Sequence, residues 1–120
     1  MKTNQNKKPL LKVIGGAFKG RNIKMAPLEI TRSSKAILKE SLFNTLNQEV
    51  VLANFVEFFA GSGSIGIEAL SRGAKSAIFF EQNKESCRIL EENLQNICQD
   101  CHYRIVFGDT FEKYQEALKG

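Results

Sequence analysis

Phe55-Val56-Glu57-Phe58-Phe59-Ala60-Gly61-Ser62-Gly63-Ser64-Ile65-Gly66 is the stretch on which the fold turns. An apolar run of strand formers stops abruptly at glycines, the mark of a strand cut off by a tight turn. Ile65, Ala69 and Leu70 then recur at helical spacing, with Gly73 just past the end. Strand, glycine turn and helix in that order predict the opening of a nucleotide-binding βα unit. The glycines let the backbone approach a ligand, and the helix N-terminus offers it unpaired N–H groups.

Gly61, Gly63 and Gly66 also spell G-x-G-x-x-G, and Glu81 follows at the spacing of a dinucleotide fingerprint. The neighbouring charge discriminates between ligands. Glu57 stands four residues before Gly61, near the end of the strand. A carboxylate there repels a pyrophosphate and attracts an ammonium or sulfonium group. S-adenosylmethionine (SAM) carries both cations and no phosphate, so SAM is favoured over NAD. The competing structural reading is a buried Glu57 paired with a Lys or Arg, because an unpaired carboxylate in a strand is costly.

Ser76-Ala77-Ile78-Phe79-Phe80-Glu81 is a nearly continuous apolar run, which suits a parallel strand buried on both faces. Glu81 falls at its C-terminal end, the edge where ligands sit in open α/β sheets, and a carboxylate there can accept both ribose hydroxyls. Asn83 can cap the next helix, whose apolar side is Cys87, Ile89, Leu90, Leu94 and Ile97. Tyr103-Arg104-Ile105-Val106-Phe107 reads as a third parallel strand ending in Gly108-Asp109, where Asp109 could equally be a turn former. A short helix is expected from Thr110 to Leu118.

Upstream, Leu11–Ile14 and Arg21–Met25 read as two short strands separated by Gly15, Gly16 and Gly20, a hairpin with Lys12, Lys19, Arg21 and Lys24 on one side. Thr31-Arg32-Ser33-Ser34 leads into a helix from about Lys35 to Asn47, capped by Ser33 or Ser34. Its apolar face is expected to be Ile37, Leu38, Leu42 and Leu46, with Lys35, Lys39 and Glu40 facing elsewhere.

The 120 residues suffice for one domain with a modest core, and 42% hydrophobic with 25% charged residues is an ordinary globular composition. Apolar runs are too short to span a membrane and the basic N-terminus lacks a signal sequence, so a cytoplasmic location is expected. Charge is unevenly distributed. Residues 1–39 hold ten Lys and Arg against one acid, a balance of +9, while the remainder holds seven bases against twelve acids, a balance of −5. Such asymmetry points to a polyanion, with nucleic acid the leading case. Three cysteines suggest no disulfide framework. Cys98-Gln99-Asp100-Cys101-His102 matches the haem-attachment pattern and could, with Cys87, be drawn as a zinc site. Neither suits a chain without an export signal and with Cys87 three helical turns away, so no metal is expected and the thiols read as reduced.

Four stretches in order resemble the small-subunit ribosomal RNA guanine-N2 methyltransferases. Ile14-Gly15-Gly16-Ala17-Phe18-Lys19-Gly20-Arg21-Asn22-Ile23 is similar to that family's Ile-Gly-Gly-x-x-Lys-Gly-Arg-x-Ile/Leu. Thr31, Arg32, Glu40, Leu42, Phe43 and Asn44 match its Thr-Arg helix segment, with Ser33, Ala36 and Ile37 replacing its Pro, Asp and Arg. Glu57–Gly63 with Ile65–Ala74 resembles its first SAM motif, which usually has Asp where Glu57 stands. Gly108-Asp109 resembles its third motif. The resemblance implies SAM as cofactor, held by Glu57, Gly61, Ser62, Gly63, Glu81 and Asp109, the last reaching the adenine amino group. It also implies small-subunit ribosomal RNA as partner, held by Lys12, Lys19, Arg21, Lys24 and Arg32. The reaction would move a methyl group to the exocyclic amine of a guanine.

The expected architecture is α/β: a basic N-terminal hairpin and helix followed by the first half of a Rossmann-like SAM methyltransferase sheet. Residues 1–10 are expected to be a disordered basic tail, 11–50 an RNA-binding hairpin and helix, and 51–120 a partial SAM-binding domain. In the family a fourth strand ends in Asn/Asp-Pro-Pro-Tyr/Phe, which holds the target amine and stacks on a base turned out of its helix. The only prolines here are Pro9 and Pro27. No catalytic residue is therefore nominated, and a truncated chain is expected. Its open strand edge would self-associate or take up a missing C-terminal half. An NAD- or FAD-dependent oxidoreductase and a non-catalytic RNA-binding module are the alternative readings.

Overall fold

The computed structural model describes residues 10–26 and 35–109, together with Glu112, Gln115 and Glu116. The basic tail, Arg32, the Ser33/Ser34 cap and most of the expected Thr110–Leu118 helix lie outside the described residues. Two antiparallel strands, β1 (Leu10–Lys12) and β2 (Asn22–Lys24), pair with Leu11 opposite Ile23 and Lys12 opposite Asn22. The helix α1 (Lys35–Leu46) and a 3-10 turn (Asn47–Val50) follow, then β3 (Asn54–Phe58), α2 (Ser64–Ser71), β4 (Ser76–Glu81), α3 (Lys84–Ile97) and β5 (Tyr103–Phe107). The second sheet is parallel, in the order β3-β4-β5, with helical crossovers. This is a Rossmann-like α/β arrangement, with the hairpin as a separate two-stranded sheet. No helix among the described residues is long and apolar enough to cross a membrane.

Register explains which side chains are buried. Glu57, Phe79 and Ile105 align across the sheet, as do Phe58, Phe80 and Val106, and alternation sends the two rows to opposite faces. Ala77, Phe79, Phe80 and Glu81 of the central β4 are all buried. β3 is an edge of this sheet, and Val56, Phe58 and Phe59 there are 41%, 43% and 64% exposed. The core lies between the sheet and α2 and α3, where Ile67, Leu70, Phe79, Leu90, Leu94 and Ile97 join Leu11, Val13 and Ile23 of the hairpin. The hairpin thus completes the same core.

Local chemistry sets the helix ends. The Asn83 side chain accepts from Ser86 N–H at 2.8 Å and starts α3. α2 stops in a paired C-cap: Gly73 N–H donates to Leu70 C=O and Ala74 N–H to Ala69 C=O, with Gly73 at φ +106°.

The buried face of α1 differs from expectation. Leu38 is 64% and Leu42 37% exposed, whereas Lys39 and Phe43 are fully buried. Phe43 stacks on Phe55 and lies under the Arg72 guanidinium, 5.1 Å from its ring centroid. Lys39 reaches a buried carboxylate, described below. Apolar periodicity cannot report a face whose polar member finds its partner elsewhere in the chain.

Two hairpin glycines separate backbone strain from crowding. Gly16 and Gly20 both have positive φ, +84° and +89°, yet a Cβ at Gly16 would lie 2.0 Å from Ser71 O while one at Gly20 meets nothing within 4 Å. Gly20→Ala should cost about 1–2 kcal/mol, the left-handed penalty alone. Gly16→Ala should add an overpacking cost of about 1–3 kcal/mol. Urea midpoints of the two variants check this; equal losses would mean that the hairpin does not seat on α2.

Candidate functional site

The expected cofactor residues gather at the C-terminal ends of β3, β4 and β5, each acid engaged by backbone. Glu57 is buried on β3, and its Oε1 accepts from Gly66 N–H at 2.8 Å. Gly66 is the third residue of α2, whose N-cap, Gly63, has no side chain to offer. Glu57 therefore supplies from the neighbouring strand the acceptor that a Ser or Asp cap would normally provide, and its charge sits against the positive helix end. Glu81 is 6% exposed. Its Oε1 accepts from Gly61 N–H at 2.7 Å and its Oε2 from Asn83 N–H at 2.9 Å, so it holds the glycine loop and the entry to α3 together. Asp109 is exposed, and its Oδ1 accepts from Glu112 N–H at 3.0 Å.

The fingerprint glycines are explained largely by packing. A Cβ on Gly63 would lie 2.4 Å from Leu90 Cδ1, and one on Gly66 would lie 2.3 Å from Phe79 Cε2 and 3.1 Å from Glu57 Oε1. Both bring α2 close to the core of the sheet. Ser62 is fully buried, and its carbonyl accepts from Asn93 Nδ2 at 2.9 Å. Phe59, just past β3, has φ +55° and is 64% exposed. For a bulky residue that conformation costs on the order of 1–3 kcal/mol and is characteristic of functional loops. Sequence patterns do not find Phe59, because nothing in its residue type announces a left-handed backbone.

Lys12, Lys19, Arg21 and Lys24 are all exposed. Lys24 faces Glu92 at 3.2 Å and Arg21 Nη2 donates to Asn96 C=O at 2.8 Å, which orients the hairpin along α3. Asn93 reinforces this seat: it accepts from Lys24 N–H and donates to Lys24 C=O and Ser62 C=O. One buried amide thus ties β2 to the glycine loop.

The residue that sequence reasoning most conspicuously misses is Glu68. It is fully buried on α2 and accepts from Ile14 N–H and Gly15 N–H at 2.9 Å each and from Arg72 Nε at 2.8 Å. Lys39 Nζ lies 3.4 Å from its Oε1. The same ammonium donates to Lys12 C=O at 2.9 Å and Ser64 Oγ at 2.8 Å. Ser71 adds a further link, donating to Gly15 C=O and accepting from Phe18 N–H. Hairpin, α1 and α2 converge here. The available signal is a lone acid inside the otherwise apolar and small run Ile65–Ser71.

Burial at the far end of α3 pushes the Cys98 thiol up to about 12, helped by Cys101. Burial also raises the Cys87 and Cys101 thiols. Among the described residues no group of three or more His, Cys, Asp or Glu is placed to hold a metal ion.

Known proteins share this arrangement. The family described as Conserved hypothetical protein 95 matches residues 11–120. The chain belongs to this family. Ribosomal RNA small subunit methyltransferase D of Haemophilus influenzae is 38% identical over 92 residues, which cover 77% of this chain and 48% of that protein. The Escherichia coli K12 protein of the same name is 33% identical over 96 residues, covering 80% of this chain and 48% of its own length. Among solved structures, Escherichia coli yhhF, described as a methyltransferase, superposes with a TM-score of 0.76 at 30% identity over 88% of this chain and 56% of that one. The hypothetical protein TTHA0928 of Thermus thermophilus has the same TM-score and identity, with coverage of 89% and 60%. The resemblance read from the motifs is borne out. The chain spans about half the length of these curated relatives.

The buried cluster makes a quantitative prediction. Glu68→Gln leaves the Lys39 and Arg72 cations facing a neutral amide and should destabilise by about 3–5 kcal/mol. Lys39→Met should cost less, because Glu68 keeps Arg72 and two backbone donors. Urea denaturation of both variants tests the order; a larger loss in Lys39→Met would move the centre of the cluster to the lysine.

Proposed function

We propose that this chain is the cofactor-binding part of a SAM-dependent methyltransferase that acts on the exocyclic amine of a guanine in small-subunit ribosomal RNA. The observation that carries the reading is the row of carboxyl groups at the ends of three adjacent parallel strands, in a family whose curated relatives bear the rRNA methyltransferase name. SAM presents mainly donors: an ammonium, a ribose diol and an adenine amine. Glu81 uses one acceptor position on each oxygen for backbone, and a carboxylate has about four such positions, so two remain for the diol. Asp109 is exposed and suits the adenine amine. Glu57 places negative charge beneath the glycine loop, which opposes a pyrophosphate and favours a cation. The donor set fits SAM.

SAM supplies an electrophilic methyl group. The protein's task is placement, since a guanine amine has its lone pair delocalised into the ring and small displacements cost much of the rate. None of the 120 residues is assigned that placement, and the chain contains no Pro-Pro pair. The exposed Lys12, Lys19, Arg21 and Lys24 would bind phosphates. This reading puts the site of action in the cytoplasm.

Calorimetry should show S-adenosylhomocysteine or SAM binding more tightly than NAD. Asp109→Ala should weaken SAM by about tenfold, the worth of one charge-assisted hydrogen bond, without moving the urea midpoint. NAD as the better ligand would overturn the cofactor assignment. For RNA, the dependence of log affinity on log salt should be steep, about 0.7–0.9 per neutralised phosphate. Replacing Lys12, Lys19, Arg21 and Lys24 by Ala together should reduce that slope by about three. An unchanged slope removes the hairpin from the interface.

A further inference from the structure

The turn between α3 and β5 carries two thiols three residues apart, which the methyltransferase reading does not use. Cys98 caps α3, its N–H donating to Leu94 C=O at 2.8 Å. Cys101 N–H then donates to Cys98 C=O at 3.0 Å and closes a four-residue turn. The ends of such a turn lie within about 7 Å, and a disulfide spans about 4.4–6.8 Å between Cα atoms. The two thiols thus sit at the two ends of one tight, hydrogen-bonded turn. Cys98 is fully buried in the core, whereas Cys101 is half-buried at its edge.

We propose that Cys98 and Cys101 form a reversible dithiol–disulfide site, oxidised by small disulfides of the glutathione type, with Cys101 the entering thiol and Cys98 the resolving thiol. Access assigns the order. A small disulfide can reach Cys101 at the edge of the core and cannot reach Cys98 beneath it.

The chemistry balances in two exchanges. The Cys101 thiol loses its proton to solvent, and its sulfur attacks one sulfur of oxidised glutathione. A mixed disulfide forms and one glutathione thiolate leaves, taking up a proton. Cys98 sulfur then attacks Cys101 Sγ, forming the internal disulfide and expelling the second glutathione, which takes up the proton that Cys98 gives up. Two protein thiols lose two electrons, and one small disulfide gains them. Burial raises both protein thiols, so the reduced form has no thiolate stabilisation of the kind that makes some dithiols strong oxidants. The exchange is therefore slow.

Cys87 is an internal control on the same helix, about 16 Å along the axis from Cys98. The experiment equilibrates the 120-residue chain in reduced and oxidised glutathione mixtures of increasing oxidised fraction. Free thiols are then alkylated, and peptides are mapped by mass spectrometry. The expected result is loss of two hydrogens on the peptide holding Cys98 and Cys101, reversed by dithiothreitol, with Cys87 outside any internal disulfide. Cys101→Ser should leave Cys98 alkylatable under denaturation at every mixture, and Cys98→Ser should trap one glutathione on Cys101. Should Cys98→Ser fail to fold, the wild type and the edge-position Cys101→Ser decide. Two free thiols at the most oxidising mixture overturn the proposal. So does a stable glutathione adduct on wild-type Cys101, or a disulfide that includes Cys87.

Discussion

One buried carboxylate organises the attachment of the N-terminal half. Glu68 sits in the middle of α2 with no exposed surface, and accepts from two hairpin N–H groups and Arg72 while facing Lys39. A buried charge of this kind is tolerated only when its acceptor positions are filled. Its partners come from three places: two from the hairpin, Lys39 from α1 and Arg72 from the C-cap of α2. Glu68 therefore ties hairpin, α1 and α2 to one buried charge. The parallel sheet alone would not bring the basic hairpin to a fixed place; Glu68 and Asn93 do.

The glycine loop shows a second economy. The N–H groups of Gly61, Gly63 and Gly66 bond to Glu81, Ala60 and Glu57, and Gly63 and Gly66 also give the loop close packing behind it. Gly63 and Gly66 admit Leu90 and Phe79, which draws the N-terminus of α2 down onto Glu57. Glu57 is thus the cap of the helix behind the loop. Glu81 has a comparable double position, gripping Gly61 and Asn83 at the place where a ribose would lie. The shape of the loop is consequently fixed by carboxyl groups from two adjacent strands.

Legibility follows the range of the interactions. β4, α3 with its Asn83 cap, the Gly73 stop and β5 are readable because their signals are local: alternation, periodicity and capping within a few residues. The Glu57 reading is open between ligand and protein, and the structure adds a partner that neither version contains, the Gly66 amide. The face of α1 is misread because burial of Lys39 depends on Glu68, twenty-nine positions along the chain. No window centred on α1 contains that partner. Phe59 escapes for a related reason, since its backbone is dictated by the glycine loop that follows it.

Beyond its core side chains, the hairpin is held to the rest of the chain largely by main-chain hydrogen bonds. Ile14, Gly15, Ala17, Phe18 and Lys24 donate backbone N–H groups to Glu68, Ser71 and Asn93, and the carbonyls of Lys12, Gly15 and Lys24 accept in return. Lys12, Lys19, Arg21 and Lys24 project outward from that anchorage. Substitution at Lys12 or Lys19 can therefore change the arm's charge while its seating stays the same. The architecture separates the backbone groups that fix the arm in place from the outward lysines that set its charge.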